Sequence, residues 1–360
     1  MNSVWTIRRR RSDTSGTSLY TESAAAGKTG DRAVPVFVLF GPTASGKTEA
    51  LARLFSKDSL FPDFAGKAEV VSADSMQVYR GMDIGTAKPS PRERERLPHH
   101  LVDIRDPREQ FNAGDFVRLA GEACEDIWRR GKLPVVSGGT GFYLRNFIMG
   151  LPESPPSDGA LRAVLKAELE SRGAAFLMEE LASGDPESAA RIHINDEYRL
   201  LRALEVLRQT GRPLSAYRRN GGREGRFDFF IAGIRCPREE LYRRVNERCA
   251  AMFRNGLAGE VRRLAEAGYG PGDPGLRAIG YREFFTGDGK GPFAVSEDLA
   301  AVEELAARNS RRYAKRQIVY FASVPGVRWI DTEGESSGMA ERLFGILFPV
   351  WQSSFRLPVS

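Results

Sequence analysis

Between Gly41 and Thr48 the chain reads GPTASGKT, two glycines framing four residues and followed by a lysine and a hydroxyl residue. That spacing lets the backbone curl so that successive amides converge on a phosphate. Lys47 adds a point charge, and Thr48 offers a hydroxyl to a magnesium ion. Pro42, Thr43, Ala44 and Ser45 form the span between Gly41 and Gly46. An apolar run, residues 36–40, precedes the motif and a helix-like pattern follows it, so the helix N-terminus adds a further attraction for negative charge. A second GKT at Gly27 to Thr29 has neither the earlier glycine nor a preceding strand, and is a decoy.

The companions of this loop decide which phosphates it holds. A nucleotide hydrolase needs an apolar strand ending in an acid that orients magnesium. The strand-like run at 133–137 continues into SGGTG without an acid, and HLVD, ending at Asp103, is a short substitute. That weakens ordinary ATP hydrolysis without eliminating it, and leaves a second option open: a loop that holds a diphosphate as leaving group while a carbon centre is transferred. Asp74 follows the run AEVV at the carboxyl edge of a strand, where open α/β sheets bind ligands. A carboxylate there takes a proton from an acceptor nucleophile or, alternatively, caps its own loop. Asp83 reads as a turn-forming side chain for Gly85 and Thr86. His99 and His100 are adjacent, poor geometry for joint metal binding, and one of them could be a polar wall of the site. Thr140, in a glycine turn, either touches a substrate or caps the next helix.

These residues need a frame. Runs 36–40, 68–71, 133–137 and 229–236 read as buried parallel strands, with 327–331 as a last short one. Between the second and third lies an amphipathic segment with Asn112 and Asp115 suited to its start and Gly131 to its stop. Strand, loop, helix, strand implies an α/β fold with right-handed crossovers. After the Pro/Ser-rich stretch 151–159 the texture becomes helical, with candidates at 158–171, 174–182, 186–192 and 195–209. A Gly/Arg-rich loop then leads back to strand. The fold expected is a P-loop NTPase-like parallel sheet with an inserted all-helical module. Its core spans 34–155 and 228–335, its insertion 156–227 and its C-terminal tail 336–360. Past the insertion, Leu241, Val245, Cys249, Phe253, Leu257, Val261 and Leu264 recur at helical intervals and read as a core-facing stripe. A further helix runs over 296–321.

Composition narrows the classes. The chain has 360 residues, 41% hydrophobic and 28% charged, with no apolar run of membrane-span length. Three cysteines without CxxC spacing argue against a disulfide framework or a cysteine zinc site, and for a reducing compartment. The net charge of +6 is unevenly spread: eight arginines face two glutamates between Arg199 and Arg226, and five basic residues lie between Arg308 and Arg316 without an acid. Such clusters suit a polyanion or a solvated helix face. Residues 1–33 read as a disordered basic extension; a transit peptide is the weaker reading because Asp13, Glu22 and Asp31 interrupt it.

Taken in order, GPTASGKT, SADSMQVYRGMDIGTAKP, PHHLVDIRDP, RGKLPVVSGGTGFYLRNFIMGL, ARIHINDEYRLLRALEVLRQTGRPLS, MFRNGLAGEV, RAIGYREF and RRYAKRQ resemble the tRNA dimethylallyltransferase (tRNA isopentenyltransferase) family over about 36–321. The resemblance implies transfer of a dimethylallyl group from dimethylallyl diphosphate to the exocyclic amine of the tRNA adenosine immediately 3′ of the anticodon. It makes Asp74 the base, sets Thr140 beside the target adenine and gives Arg248, with Thr43 and Lys47, the diphosphate. It implies magnesium on Thr48. The tRNA contacts it carries over are Asp74, Ser75, Met76 and Gln77; Thr140 and Arg162; Tyr198, Arg199, Leu200, Leu201 and Arg202; Arg277, Ala278, Ile279, Gly280, Tyr281 and Arg282; and Lys315, Arg316 and Gln317. Where the family continues KRQ with Thr-Trp-Phe, this chain has Ile318, Val319, Tyr320 and Phe321. The lack of a C-terminal zinc finger favours a bacterial-type cytoplasmic enzyme; a monomer is expected, although the sequence does not fix the oligomeric state. The competing readings are an adenine-nucleotide prenyltransferase, a P-loop small-molecule kinase and a non-catalytic RNA-binding protein.

Overall fold

The computed structural model describes residues 33–217, 226–286, 293–332 and 338–354. The N-terminal extension, apart from Ala33, and part of the Gly/Arg-rich loop lie outside the described residues. Strand β1 (Val34–Phe40) leads through the phosphate loop into α1 (Lys47–Phe55). There follow β2 (Ala68–Ser72), α2 (Pro91–Arg96), β3 (His99–His100), α3 (Ala113–Arg129), β4 (Leu133–Gly138) and α4 (Gly141–Met149). The helical segment comprises α5 (Gly159–Gly184), α6 (Pro186–Arg191) and α7 (Glu197–Thr210). The chain returns through β5 (Phe227–Arg235), α8 (Arg238–Arg254), α9 (Leu257–Glu266) and the small hairpin β6 (Phe285–Thr286) and β7 (Ala294–Val295). It ends in α10 (Leu299–Phe321), β8 (Arg328–Asp331) and α11 (Met339–Ser354).

Six strands form one parallel sheet in the order β3-β2-β4-β1-β5-β8. β1 is central and apolar throughout because both of its faces are covered. Val36, Val38 and Phe40 enter one core with Phe116, Val136 and Phe147; Phe37 and Leu39 enter the other with Leu51, Leu54 and Val135. Phe40 also stacks on Phe321 at the end of α10, centroids 4.5 Å apart, which ties that helix to the root of the phosphate loop. Truncating such a fully buried ring costs about 3–5 kcal/mol. On α3, Asn112 Oδ1 accepts from the amides of Gly114 and Asp115, and Asp115 returns the bond to Asn112, the start signal expected of those residue types.

The helical segment has an apolar core of its own around Leu165, Leu177, Leu181, Leu200 and Leu204. Gly173, at φ 82°, breaks α5 between the two helices expected there. Among the described residues no helix is long and apolar enough to cross a membrane.

Three elements differ from expectation. β3 is a two-residue edge strand of histidines, with no apolar run to mark it. The apolar stripe after β5 is two helices, because Asn255 and Gly256 end α8 and Gly256 takes φ 95° at the start of α9. The tail at 336–360 includes α11, whose Met339, Leu343 and Leu347, on one helical face, are buried in the core of α1 and β2.

Candidate active site

The phosphate loop turns through left-handed backbone at Ala44 (φ 61°) and Gly46 (φ 89°). Among the described residues the amides of Ala44, Gly46 and Lys47 meet no protein acceptor, so they are available to an anion. Lys47 Nζ bonds the carbonyls of Gly41 and Pro42, both at 2.8 Å, folding the ammonium over the loop. Shielding from solvent lowers its pKa to about 7, the guanidinium of Arg248 adds to that shift, and Asp74 opposes it. Arg248, from α8, is likewise pushed down by burial and held up by Asp74. Thr48 stands exposed at the start of α1.

Asp74 lies just beyond β2. Its Oδ1 accepts from the amides of Met76 (2.8 Å) and Gln77 (3.3 Å), so one oxygen does cap the loop, and among the described residues Oδ2 has no protein hydrogen bond. Thr140 Oγ1 accepts from the Ser75 amide at 3.1 Å and makes no capping bond to α4, which argues against the capping role, one of the two left open by its sequence position. A cavity of about 290 Å³ brings together Thr43, Asp74, Ser75, Met76, Arg248, Arg277, Ile279, Arg282 and Arg316. The loop edge, the acid, the α8 arginine and the basic residues after α9 therefore share one space.

Sequence reasoning missed one member of this site and one residue that supports it from outside the cavity. Tyr313 of α10 lines the cavity; burial, and then the nearby Asp74 carboxylate, raise its pKa to about 12, while Thr140 and Gln317 beside its hydroxyl oppose the rise. Glu260 of α9 collects the amides of Asp83, Ile84 and Gly85, the work expected of Asp83, whose own carboxylate instead pairs with Lys88 at 2.5 Å. A tyrosine amid the basic run RRYAKRQ was the available signal for the first. The second had none, since the amides it collects lie at least 175 positions away.

Several residues assigned to tRNA contact have other partners. Leu200 and Leu201 are buried in the helical segment's core, and Tyr281 is fully buried beneath Gly85. Arg162 and Arg202 pair with the buried Glu205 at 3.1 and 2.9 Å. Gln77 bonds Ser72 and the carbonyls of Thr86 and Ala87. Gln317 is buried: its Oε1 accepts from the Thr43 amide at 2.8 Å and its Nε2 donates to the Gly139 carbonyl at 2.7 Å, joining the two glycine loops. Tyr198 and Arg199 remain exposed, as do Arg277, Arg282, Lys315 and Arg316; Ala278 and Gly280 line the cavity with their backbone turn. Neither histidine is a wall of the cavity. His99 Nδ1 bonds the Leu97 carbonyl and His100 Nε2 lies 2.7 Å from Glu69 Oε2.

A model of the family described as IPP transferase matches residues 77–324. The tRNA dimethylallyltransferase of Geobacter sulfurreducens is 46% identical over 299 residues, 82% of this chain and 91% of the relative. The tRNA dimethylallyltransferase 2 of Geotalea uraniireducens is 45% identical over 84% of this chain and 94% of its own length. Among solved structures, the full-length tRNA isopentenylpyrophosphate transferase of Bacillus halodurans has a TM-score of 0.60 at 34% identity, covering 89% of this chain and 97% of that one. A eukaryotic dimethylallyltransferase, described as acting on tRNA, has a TM-score of 0.70 at 25% identity, over 91% of this chain and 81% of that one.

Proposed function

The chain belongs to the IPP transferase family, the tRNA dimethylallyltransferases, and from that premise we propose the chemistry of its site. The enzyme transfers a dimethylallyl group to tRNA. The donor is dimethylallyl diphosphate, and the acceptor is the exocyclic amine of the adenosine immediately 3′ of the anticodon. Support comes from one observation above all: Asp74, with a free carboxylate oxygen, shares a cavity with Arg248 and the edge of an anion-ready loop.

In this reading the amides of Ala44, Gly46 and Lys47, the Lys47 ammonium and Arg248 hold the diphosphate. The bond between the allylic carbon and the diphosphate oxygen breaks, and its electron pair leaves with the diphosphate. Fixed cations there favour the transition state because the charge on that oxygen grows as the bond stretches. The amine lone pair forms the new carbon–nitrogen bond, and Asp74 Oδ2 takes the amine proton. Thr140 and Ser75 line the adenine side. Magnesium fits as a companion of the diphosphate. Thr48 presents an exposed hydroxyl, and among the described residues no cluster of His, Cys, Asp or Glu would hold a metal unaided, as suits an ion bound largely by substrate oxygens. Bound, it neutralises charge on the diphosphate.

The exposed basic residues of α7, of the turns after α9 and of α10 suit tRNA phosphates, with the helical insertion gripping the anticodon stem-loop and the target base flipped into the cavity. The enzyme works as a cytoplasmic monomer, a setting that its free cysteines Cys124, Cys236 and Cys249 suit. The experiment is prenyl transfer from dimethylallyl diphosphate, with magnesium, to unmodified tRNA, with free AMP as competing acceptor. Asp74→Asn should slow single turnover by about 10²–10⁴ while leaving tRNA affinity nearly unchanged. A near-normal rate removes Asp74 as the base, and preference for AMP removes the tRNA reading.

A further inference from the structure

The lining of the cavity includes Gly85 and Thr86, and the turn they belong to is held by residues outside that lining. Three consecutive amides, of Asp83, Ile84 and Gly85, donate to the carboxylate of Glu260 at 3.0, 2.9 and 3.3 Å. The Tyr281 hydroxyl donates to the same carboxylate at 2.5 Å and accepts from the Gly85 amide at 3.1 Å. Glu260 is 3% exposed and Tyr281 is fully buried. Burying a carboxylate is costly unless its lone pairs are met, and here every partner is a donor. An apolar side chain would serve α9 packing without that cost, but it could not gather three amides into one turn.

From that turn the contacts run on to the reacting groups. The carbonyls of Thr86 and Ala87 accept from Gln77 Nε2 at 3.3 and 3.2 Å, and the Gln77 amide donates to Asp74 Oδ1 at 3.3 Å. Ala87 and Asp103, whose amide donates to the Gln77 carbonyl, both hold left-handed backbone, at φ 46° and 59°. Left-handed backbone at a residue other than glycine persists where its surroundings over-determine it.

We propose that Glu260, seconded by Tyr281, is a positioning residue of this enzyme: it holds the 83–87 turn in the shape that aims Asp74 at the acceptor. Glu260 touches neither substrate; it acts through the turn and Gln77. The inference rests on the transferase reading above. Glu260→Gln should lower the single-turnover rate with tRNA about 10- to 100-fold, as loss of an outer hydrogen-bond partner does. KM for dimethylallyl diphosphate should be unchanged, because the phosphate loop is not involved. Glu260→Asp, which keeps an acceptor-only carboxylate, should recover part of the rate. Tyr281→Phe keeps the ring beneath Gly85 and should give a smaller loss in the same direction, so the inference stays testable if Glu260→Gln folds poorly. A wild-type rate in both Glu260→Gln and Tyr281→Phe overturns the inference. So does a loss that tracks a fall in melting temperature and raises KM for both substrates alike. Absence of transfer by the wild-type protein overturns the function reading and this inference with it; intact wild-type transfer with unimpaired variants overturns this inference alone.

Discussion

Two loops of this enzyme gather backbone amides, and they treat them oppositely. Among the described residues, the loop between β1 and α1 leaves the amides of Ala44, Gly46 and Lys47 without a protein acceptor and brings a lysine over them. The turn at Asp83–Gly85 fills its amides with the buried carboxylate of Glu260. Backbone donors of the same kind thus make a ligand seat in one place and a rigid support in the other. The difference lies in who supplies the anion. An anion from the chain itself fixes geometry permanently, whereas one left to the substrate couples that geometry to binding. Sequence motifs report the first loop readily, because glycine spacing and a lysine are local. They do not report the second, because its anion comes from another helix.

That contrast can be broken by experiment, beginning with the open loop. Lys47→Met should reduce the rate of prenyl transfer by about 10²–10³, the scale of losing one fixed donor to developing charge, with weaker retention of inorganic diphosphate in an equilibrium binding measurement. If the rate holds, the seat is made by amides alone. The filled turn should respond in stability first. A Cβ on Gly85 would lie 2.4 Å from the Tyr281 ring, so Gly85→Ala should cost about 1–3 kcal/mol in urea denaturation. No shift of the midpoint would mean that the ring yields and the support is soft.

The smallest effect concerns pH. Lys47 has a folded-state pKa of about 7 against 10.5 in the open chain. Between those values the unfolded protein carries a proton that the folded protein has lost, so folding stability rises with pH across the window and the contribution is flat below it. Measured against Lys47→Met, the wild-type protein should therefore gain stability as pH is raised from about 7 to 9. A constant difference would show an ammonium that is solvated and not shielded.

How much was legible follows from the range of the forces involved. The strands at 36–40, 68–71, 133–137 and 229–236 announced themselves because a strand buried on both faces reads as a near-continuous apolar run. Asn112 and Asp115 marked the start of α3 because capping is decided within one turn. The two-residue β3 had no such signal: His99 and His100 join the sheet through backbone pairing with Val70 and Val71. The break at Gly256 was hidden because the apolar stripe keeps helical spacing through it, from Val245 to Leu264. At the site, Asp74 and Lys47 were marked by their own loops. Glu260, Tyr313 and Gln317 were not, since each acts on residues far along the chain, and family likeness assigned Gln317 to the tRNA when its side chain is spent inside the protein.

The bridge made by Gln317 has a consequence for how the molecule comes into being. Thr43 and the residue that fastens its amide are separated by 274 positions. On the ribosome, where the N-terminal part of a chain emerges and folds first, β1 and its loop are made early and wait. Their second neighbouring strand, β5, arrives only with residues 227–235, and α10 later still. Until then one edge of the central strand lies open to pairing with other chains. Helix α10 thus completes the part of the site made first, and a nascent chain becomes a transferase only after Phe321 has been added.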